Sequence, residues 1–276
     1  GHSFKSVSDT EVLIHGYEEW GIEGLLSRID GMFAFAVVDE NQGVLHLARD
    51  RFGEKPVYLH FGHKVFGFAS NMKALMSSLH LSQEIDPFSL MRYLALHYVP
   101  GRRTIFREVE RLLPGERMEF SLIDGTCKRF KYYQMLEPEE EISNAEELEY
   151  LLKEAVESRL VSDVPVGVFL SGGLDSSFVT ALAAKSMPQI KTFSIGFDSV
   201  PHDESKHAKS LANACEVDHH LVQFGEKDFS RLLPKVASVL DEPLGDQATL
   251  PTYKLCKEAS RYVKVVLSGE GADEFF

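Results

Sequence analysis

The chain has 276 residues, of which 29 are Lys or Arg and 42 are Asp or Glu, so its formal net charge is −13. This acidic balance argues against a nucleic-acid binder or an anionic-membrane binder, because no basic field exists to attract phosphate groups. The three cysteines are widely spaced, which favours a reducing, cytoplasmic location. No apolar run approaches the roughly 18 residues that a membrane helix needs, so membrane insertion is not expected.

The first half of the chain is typical of an α+β fold with antiparallel sheets. A capping box at Ser8 and Glu11 predicts the start of a helix that runs to Gly21. Alternating apolar residues separated by short turns then predict strands at 31–39, 44–49, 57–61 and 65–69. A further helix is predicted near 87–97.

The second half alternates between apolar runs and helical patterns, which indicates a parallel sheet built from β-α-β units. A charged, proline-bearing segment at 137–141 marks the boundary before it. Strands are predicted at 164–170, 190–197, 219–224 and 263–267. One helix is predicted from 143 to about 160. Further helices are predicted at 175–185, 204–215, 229–240 and 250–262.

The sharpest motif is a glycine-rich loop at 171–177, with the letters SGGLDSS, between a predicted strand and a predicted helix. Two consecutive glycines let the backbone approach a large anion, and the helix N-terminus directs free N–H groups towards it. Asp175 would repel phosphate unless Mg²⁺ lies between the carboxylate and the anion. The loop is neither Gly-x-Gly-x-x-Gly nor a Walker loop, and it predicts a pyrophosphate site for ATP cleaved between its α- and β-phosphates.

A second loop at 268–274, with the letters SGEGADE, follows the last predicted strand. In a neighbouring β-α unit it would face the first loop, where Asp273 could share the metal with Asp175 and Glu270 could orient or deprotonate a nucleophile. The bland alternative is an acidic turn that stabilises a helix dipole.

Together these motifs resemble the asparagine synthetase family, the glutamine-hydrolysing amidotransferases with a glutaminase domain and a synthetase domain. In the first half the resemblance rests on the segments 8–12, 31–36 and 49–58. In the second half it rests on 162–168, 193–197, 241–243 and the two loops. It implies the C-terminal part of a glutaminase at 1–133, Ntn-hydrolase-like in fold, a linker at 134–142, and the N-terminal part of a pyrophosphate-loop ATPase domain at 143–276.

The resemblance also implies roles for single residues. ATP would contact Leu170, Ile195, Ser268 and Gly269. Pyrophosphate would bind to Ser171, Gly172, Gly173, Asp175, Ser176 and Ser177. Mg²⁺ would bind to Asp175 and Asp273, Glu270 would act near the acyl-adenylate, and Asp9 would bind the α-amino group of glutamine.

The chain departs from the family pattern at both ends. The family's glutaminase nucleophile is an N-terminal cysteine whose own amine serves as the base, whereas residue 1 here is Gly. The family also continues past Glu274 into a region that completes the aspartate pocket. We therefore expect a chain truncated at both ends, without glutaminase activity of its own.

The expected function is ATP-dependent synthesis of asparagine from aspartate, with ammonia drawn from glutamine and with AMP and pyrophosphate released. The expected partners are these small molecules rather than nucleic acid or membrane, and a homodimer is compatible with the sequence. Two alternatives stay open. One is a related amidotransferase or β-lactam-synthetase-like enzyme that adenylates another carboxylate, and the other is a non-catalytic nucleotide-binding module.

Overall fold

A computed structural model describes residues 1–135, 144–197 and 204–271. The chain divides into two compact units. The first comprises Gly1–Glu137 with Asp241–Gly245, and the second comprises Pro138–Leu240 with Asp246–Phe276. Within the described ranges, no helix has the length and apolar character needed to cross a membrane.

The described part of the first unit contains two antiparallel sheets and the helices α1 (Asp9–Arg28), α2 (Met72–Leu79) and α3 (Pro87–Leu96). Its strands are β1 (Ala34–Asp39), β2 (Val44–Arg49), β3 (Tyr58–Phe61), β4 (Phe66–Ala69), β5 (Glu110–Arg111), β6 (Glu116–Ser121) and β7 (Cys127–Lys131). One sheet has the order β1-β2-β6-β7 and the other β4-β3-β5. The predicted antiparallel α+β architecture is confirmed.

Helix α1 is longer than the sequence predicted. Gly21 adopts φ 65° and ψ −178°, which interrupts the helix where the prediction ended it. The chain nevertheless returns to helix up to Arg28, because Ile22, Leu25 and Leu26 place buried apolar side chains along one face. Gly21 is therefore a kink within α1 and not its end.

The second unit has the predicted parallel sheet. Its helices are α4 (Ala145–Leu160), α5 (Leu174–Ser186), α6 (Ser205–Ala214), α7 (Glu226–Val239) and α8 (Thr249–Ala259). Its strands are β8 (Val166–Phe169), β9 (Lys191–Phe197), β10 (Asp218–Phe224) and β11 (Val265–Leu267). Leu182 and Ala183 of α5 belong to the same buried cluster as Val166 and Val168 of β8, so α5 is fixed against the sheet.

The order of the strands determines where this sheet can bind a ligand. The order is β10-β9-β8-β11, so the chain proceeds from β8 to β9 on one side and later places β11 on the other side of β8. β8 pairs in parallel with both β9 and β11. Ligands of open α/β sheets bind beyond the carboxyl ends of the strands at such a reversal of order, here the edge between β8 and β11.

The segment Asp241–Gly245 packs within the first unit, although it follows α7 and precedes α8 in the chain. The Asp241 carboxylate accepts hydrogen bonds from Asn71 Nδ2 (2.9 and 3.0 Å) and from the backbone N–H of Met72 (3.1 Å), at the N-terminus of α2. Glu242 pairs with Arg111 at 3.4 Å, and burial raises the pKa of this carboxyl. Residues distant in sequence thus complete the first unit.

Replacing Asp241 with Ala is expected to loosen the first turn of α2, because the variant loses a carboxylate that accepts from helix N-terminal N–H groups. Such a loss costs about 1 kcal/mol, which corresponds to roughly five-fold faster amide exchange. Hydrogen–deuterium exchange of the Met72 amide measures it, and Asp163→Ala, at an exposed position, is the control. Unchanged exchange at Met72 would contradict the capping role.

Candidate functional site

The glycine-rich loop begins where β8 leaves the sheet. Leu170 is buried, and its N–H donates to the Phe193 carbonyl at 2.9 Å. Ser171 is exposed, and α5 begins three residues later with Gly173 as its N-cap. Gly173 has no side chain to cap this N-terminus, and no side-chain capping hydrogen bond is found among the described residues. Its N–H groups and the positive end of the helix dipole are therefore directed to the carboxyl edge of the sheet, as an anion site requires.

Two serines hold the loop in shape. The hydroxyls of Ser171 and Ser176 share a hydrogen bond of 2.8 Å. The backbone N–H of Ser171 donates to Ser176 Oγ (3.2 Å), and the N–H of Gly173 donates to Ser171 Oγ (3.3 Å). Ser176 is buried, so its hydroxyl organises the loop from inside.

The two glycines of the loop have different surroundings. Gly172 adopts φ +97°, and a Cβ there would lie 2.8 Å from the Glu204 carbonyl and 3.0 Å from the Ala208 nitrogen of α6. Gly172 is therefore required by backbone conformation and by the close approach of α6. At Gly173 the only atom of the described residues that a Cβ would meet is Ser171 Oγ, at 3.5 Å. Its position leaves room for a ligand to approach.

The second loop lies directly against the first. A Cβ on Gly269 would be 2.6 Å from the backbone nitrogen of Ser176 and 2.8 Å from its Cα. Parallel pairing of β11 with β8, with Leu267 opposite Val168, places the two strand ends side by side. The structure therefore brings Ser268 and Gly269 to the first turn of α5, where Asp175 lies.

The remaining predicted residues of this edge are placed as follows. Ile195 lies in β9 two positions beyond Phe193, which pairs with the last residue of β8, so Ile195 stands level with the loop. Asp175 is half-buried, and no described residue forms a hydrogen bond or ion pair with its carboxylate. Glu270 is exposed. Asp273 lies outside the described residues, so its role as a metal ligand stays a prediction.

Asp9 lies at the start of α1, on a cleft of about 1,700 Å³ in the first unit. The cleft is lined by α1, β1 and their neighbours, and includes Tyr17, Asp39, His46 and Lys55. Tyr17 OH donates to Asp39 at 2.8 Å, and burial together with this carboxylate raises the pKa of Tyr17 to about 12. Sequence reasoning missed these lining residues because α1 meets β1 and β2 only in the folded chain.

The capping box predicted at Ser8 and Glu11 forms only in part. Ser8 Oγ accepts from the N–H of Thr10, but the Glu11 carboxylate reaches past Ser8 to the N–H groups of Lys5 (2.8 Å) and Ser6 (2.7 Å). The Ser6 hydroxyl also donates to it, and these donors lower the pKa of Glu11 to about 2. Glu11 thus fastens the segment before Asp9 to α1.

Comparison with known proteins gives matches to both halves. Residues 1–133 match the family model of the glutamine amidotransferase domain, and residues 147–276 match that of asparagine synthase. A putative glutamine-hydrolysing asparagine synthetase 2 from Methanocaldococcus jannaschii is 34% identical, with 98% of this chain and 53% of the relative covered. Glutamine-hydrolysing asparagine synthetase 1 from Bacillus subtilis is 37% identical, with 100% and 44% covered. The chain thus spans about half the length of the curated relatives it matches.

Among solved structures, a glutamine-dependent NAD⁺ synthetase from Acinetobacter baumannii, in complex with ADP, aligns with 98% of this chain and 66% of that chain. Its identity is 14% and its TM-score 0.39, a likeness too weak to carry an argument.

Proposed function

Because the chain belongs to the glutamine-hydrolysing asparagine synthetase family, we propose that it serves in glutamine-dependent synthesis of asparagine. ATP activates the side-chain carboxylate of aspartate as an acyl-adenylate, pyrophosphate leaves, and ammonia from glutamine displaces AMP. The contact between Gly269 and Ser176 carries this proposal, since it joins two ligand-type loops at one edge of the sheet.

The loop residues supply binding and charge stabilisation in this proposal. The uncapped N-terminus of α5 and the open position at Gly173 would receive the β- and γ-phosphates. Fixed N–H donors need no reorganisation as negative charge grows on the departing pyrophosphate, which is why preorganised donors accelerate such reactions. Leu170, Ile195, Ser268 and Gly269 would contact the nucleotide, with Ser171, Ser176 and Ser177 completing the pyrophosphate loop. Glu270, exposed on the second loop, would act near the acyl-adenylate.

The acidic residues of these loops fit a magnesium ion. The Asp175 carboxylate forms no hydrogen bond or ion pair with a described residue, and it lies in the first turn of α5, where the phosphate groups would bind. Oxygen ligands of this kind suit Mg²⁺, and we propose Asp175 and Asp273 as its protein ligands. When bound, the ion would neutralise phosphate charge and make pyrophosphate a better leaving group.

The finer architecture belongs to the same proposal. We propose an Ntn-hydrolase-like glutaminase part at 1–133, a linker at 134–142 and a pyrophosphate-loop ATPase part at 143–276. The antiparallel sheets of the first unit and the parallel order of the second support this division. A cytoplasmic location, a homodimer and small molecules as the only ligands are proposed with it.

Asp9 is proposed to bind the α-amino group of glutamine, because it is an exposed carboxylate on the cleft of the first unit. Asp9→Asn is expected to weaken glutamine binding about ten-fold or more, since a hydrogen bond to a charged group contributes roughly 1.5–3 kcal/mol. Glutamine titration of the natural gene product measures this effect. Glu40→Gln is the control, because Glu40 is another exposed acid on the cleft. Equal glutamine affinities of the two variants would show that Asp9 does not bind the α-amino group.

The acceptor is tested by exchange of labelled pyrophosphate into ATP in the natural gene product. Exchange that requires aspartate is expected, because the reverse of adenylation regenerates ATP from the acyl-adenylate. Exchange that requires a carboxylate other than aspartate would show that the enzyme adenylates a different acceptor. Binding of Mg·ATP without exchange under any acceptor would indicate a nucleotide-binding module that lacks turnover.

A further inference from the structure

Two histidines converge on one carboxylate in the first unit. The rings of His2 and His15 stack with centroids 4.6 Å apart. The Nδ1 atom of each ring lies near the same oxygen, Glu18 Oε2, at 3.5 Å from His2 and 3.3 Å from His15. The His15 side chain is 20% exposed, whereas the Glu18 side chain is 56% exposed. Two imidazole nitrogens and one carboxylate oxygen are thus gathered at one point of the surface.

The far side of each imidazole meets a second carboxylate. His15 Nε2 lies 3.3 Å from Glu11 Oε1, and His2 Nε2 lies 3.4 Å from Glu19 Oε2. In metal sites a ligating histidine almost always donates its other ring N–H to a carboxylate, a carbonyl or water. Such a partner fixes the tautomer that leaves the opposite nitrogen free to bind the ion. Glu11 and Glu19 occupy these outer positions for His15 and His2.

From this arrangement we propose a binding site for a divalent first-row transition metal of the Zn²⁺ class. Its ligands are Nδ1 of His2, Nδ1 of His15 and the Glu18 carboxylate, with water in the remaining position. Tetrahedral zinc with bonds of about 2.0–2.1 Å has ligand atoms roughly 3.3 Å apart. The two N···O separations of 3.3 and 3.5 Å are close to that value. One ligand atom from each of the three residues lies within 4.8 Å of the others.

The helix provides most of the site. Glu11, His15 and Glu18 follow one another at intervals of four and three residues, so they share one face of α1. His2 comes from the preceding segment, which Glu11 fastens to the helix through the Lys5 and Ser6 backbone. A bound metal would join this segment to α1 just before Asp9. The site needs no catalytic activity to bind, so it is independent of the proposed function.

The competing explanation is a set of hydrogen bonds and ion pairs between imidazoles and carboxylates without a metal. Isothermal titration of the metal-free, tag-free 276-residue chain with Zn²⁺ separates the two. One equivalent of Zn²⁺ per chain is expected for the site. Cobalt(II) serves as a second probe, because its visible absorption reports four-coordinate binding and its proximity quenches the single tryptophan, Trp20, two residues beyond Glu18.

The variants identify the ligands. His2→Gln, His15→Gln and Glu18→Gln are each expected to weaken Zn²⁺ binding at least about 100-fold, and Glu19→Gln about ten-fold, as for an outer-shell partner. His63→Gln, at an exposed position in the turn between β3 and β4, is expected to bind like the unsubstituted chain. Circular dichroism checks that each variant is folded. No stoichiometric binding by the unsubstituted chain, or undiminished binding by folded His15→Gln and Glu18→Gln variants, would overturn the proposal.

Discussion

Replacing Asp175 with Asn is expected to abolish the Mg²⁺ dependence of ATP binding and to lower pyrophosphate–ATP exchange at least about 100-fold. The amide keeps the size of the side chain and its place in the first turn of α5, but it removes the negative charge that would hold the metal. Phosphate oxygens would then face the helix N-terminus without the ion that neutralises them.

The measurement compares ATP affinity of the chain with and without Mg²⁺, and exchange in the natural gene product. Asp163→Asn is the matched control, because Asp163 is exposed before the amino end of β8 whereas Asp175 follows the carboxyl end of the same strand. The control is expected to keep both properties. An Asp175→Asn variant that still requires Mg²⁺ for tight ATP binding would show that the metal is held elsewhere.

Gly173→Ala is expected to weaken Mg·ATP binding about ten-fold or more while leaving the fold intact. Among the residues that the structure describes, the added methyl group meets nothing closer than Ser171 Oγ at 3.5 Å, and Gly173 has an ordinary φ of −72°, so the ligand-free loop is expected to tolerate alanine. The methyl group would instead occupy the space through which phosphate approaches the N–H groups of α5. A ten-fold loss corresponds to about 1.4 kcal/mol of binding free energy.

Calorimetry of Mg·ATP binding tests the expected loss of affinity in Gly173→Ala, and thermal unfolding tests whether the fold stays intact. Gly269→Ala is the contrasting variant, because its Cβ would lie 2.6 Å from the Ser176 nitrogen and the two loops would have to separate. It is expected to lower the unfolding temperature as well as ATP affinity. Unchanged ATP affinity in Gly173→Ala would show that phosphate does not approach at this glycine.

Much of the second unit followed from local sequence. The Val-rich run before Ser171 and the helical pattern after Asp175 gave a strand, a loop and a helix in that order, and the structure has β8, the loop and α5 there. Periods of two and about 3.6 residues are properties of neighbouring positions, so they can be detected without a fold. The boundaries in this unit moved by up to three residues, as at the start of α7 and the end of α8, because helix and strand ends depend on tertiary contacts.

The first unit was predicted less completely. The strands β5, β6 and β7 and the helix α2 were not predicted, and the predicted α1 ended at Gly21. Three of the five residues of β7 are Lys or Arg, which leaves little apolar signal. Helix α2 has only eight residues; its N-cap is Asn71, and Asp241, from a distant part of the chain, accepts a further hydrogen bond from the Met72 N–H. The contact with Asp241 joins residues about 170 positions apart, so no local stretch of sequence reveals it.

By itself, the sequence determined the loop at Ser171, the alternation that makes a parallel sheet, and the acidic residues that suit a metal. Only the tertiary structure decided that Gly269 packs on Ser176, that Asp241 belongs to the first unit, and that His2 meets His15. The physical reason is the range of the interactions. Backbone propensities depend on a few neighbouring residues, whereas these contacts depend on strand order and on how the chain returns upon itself.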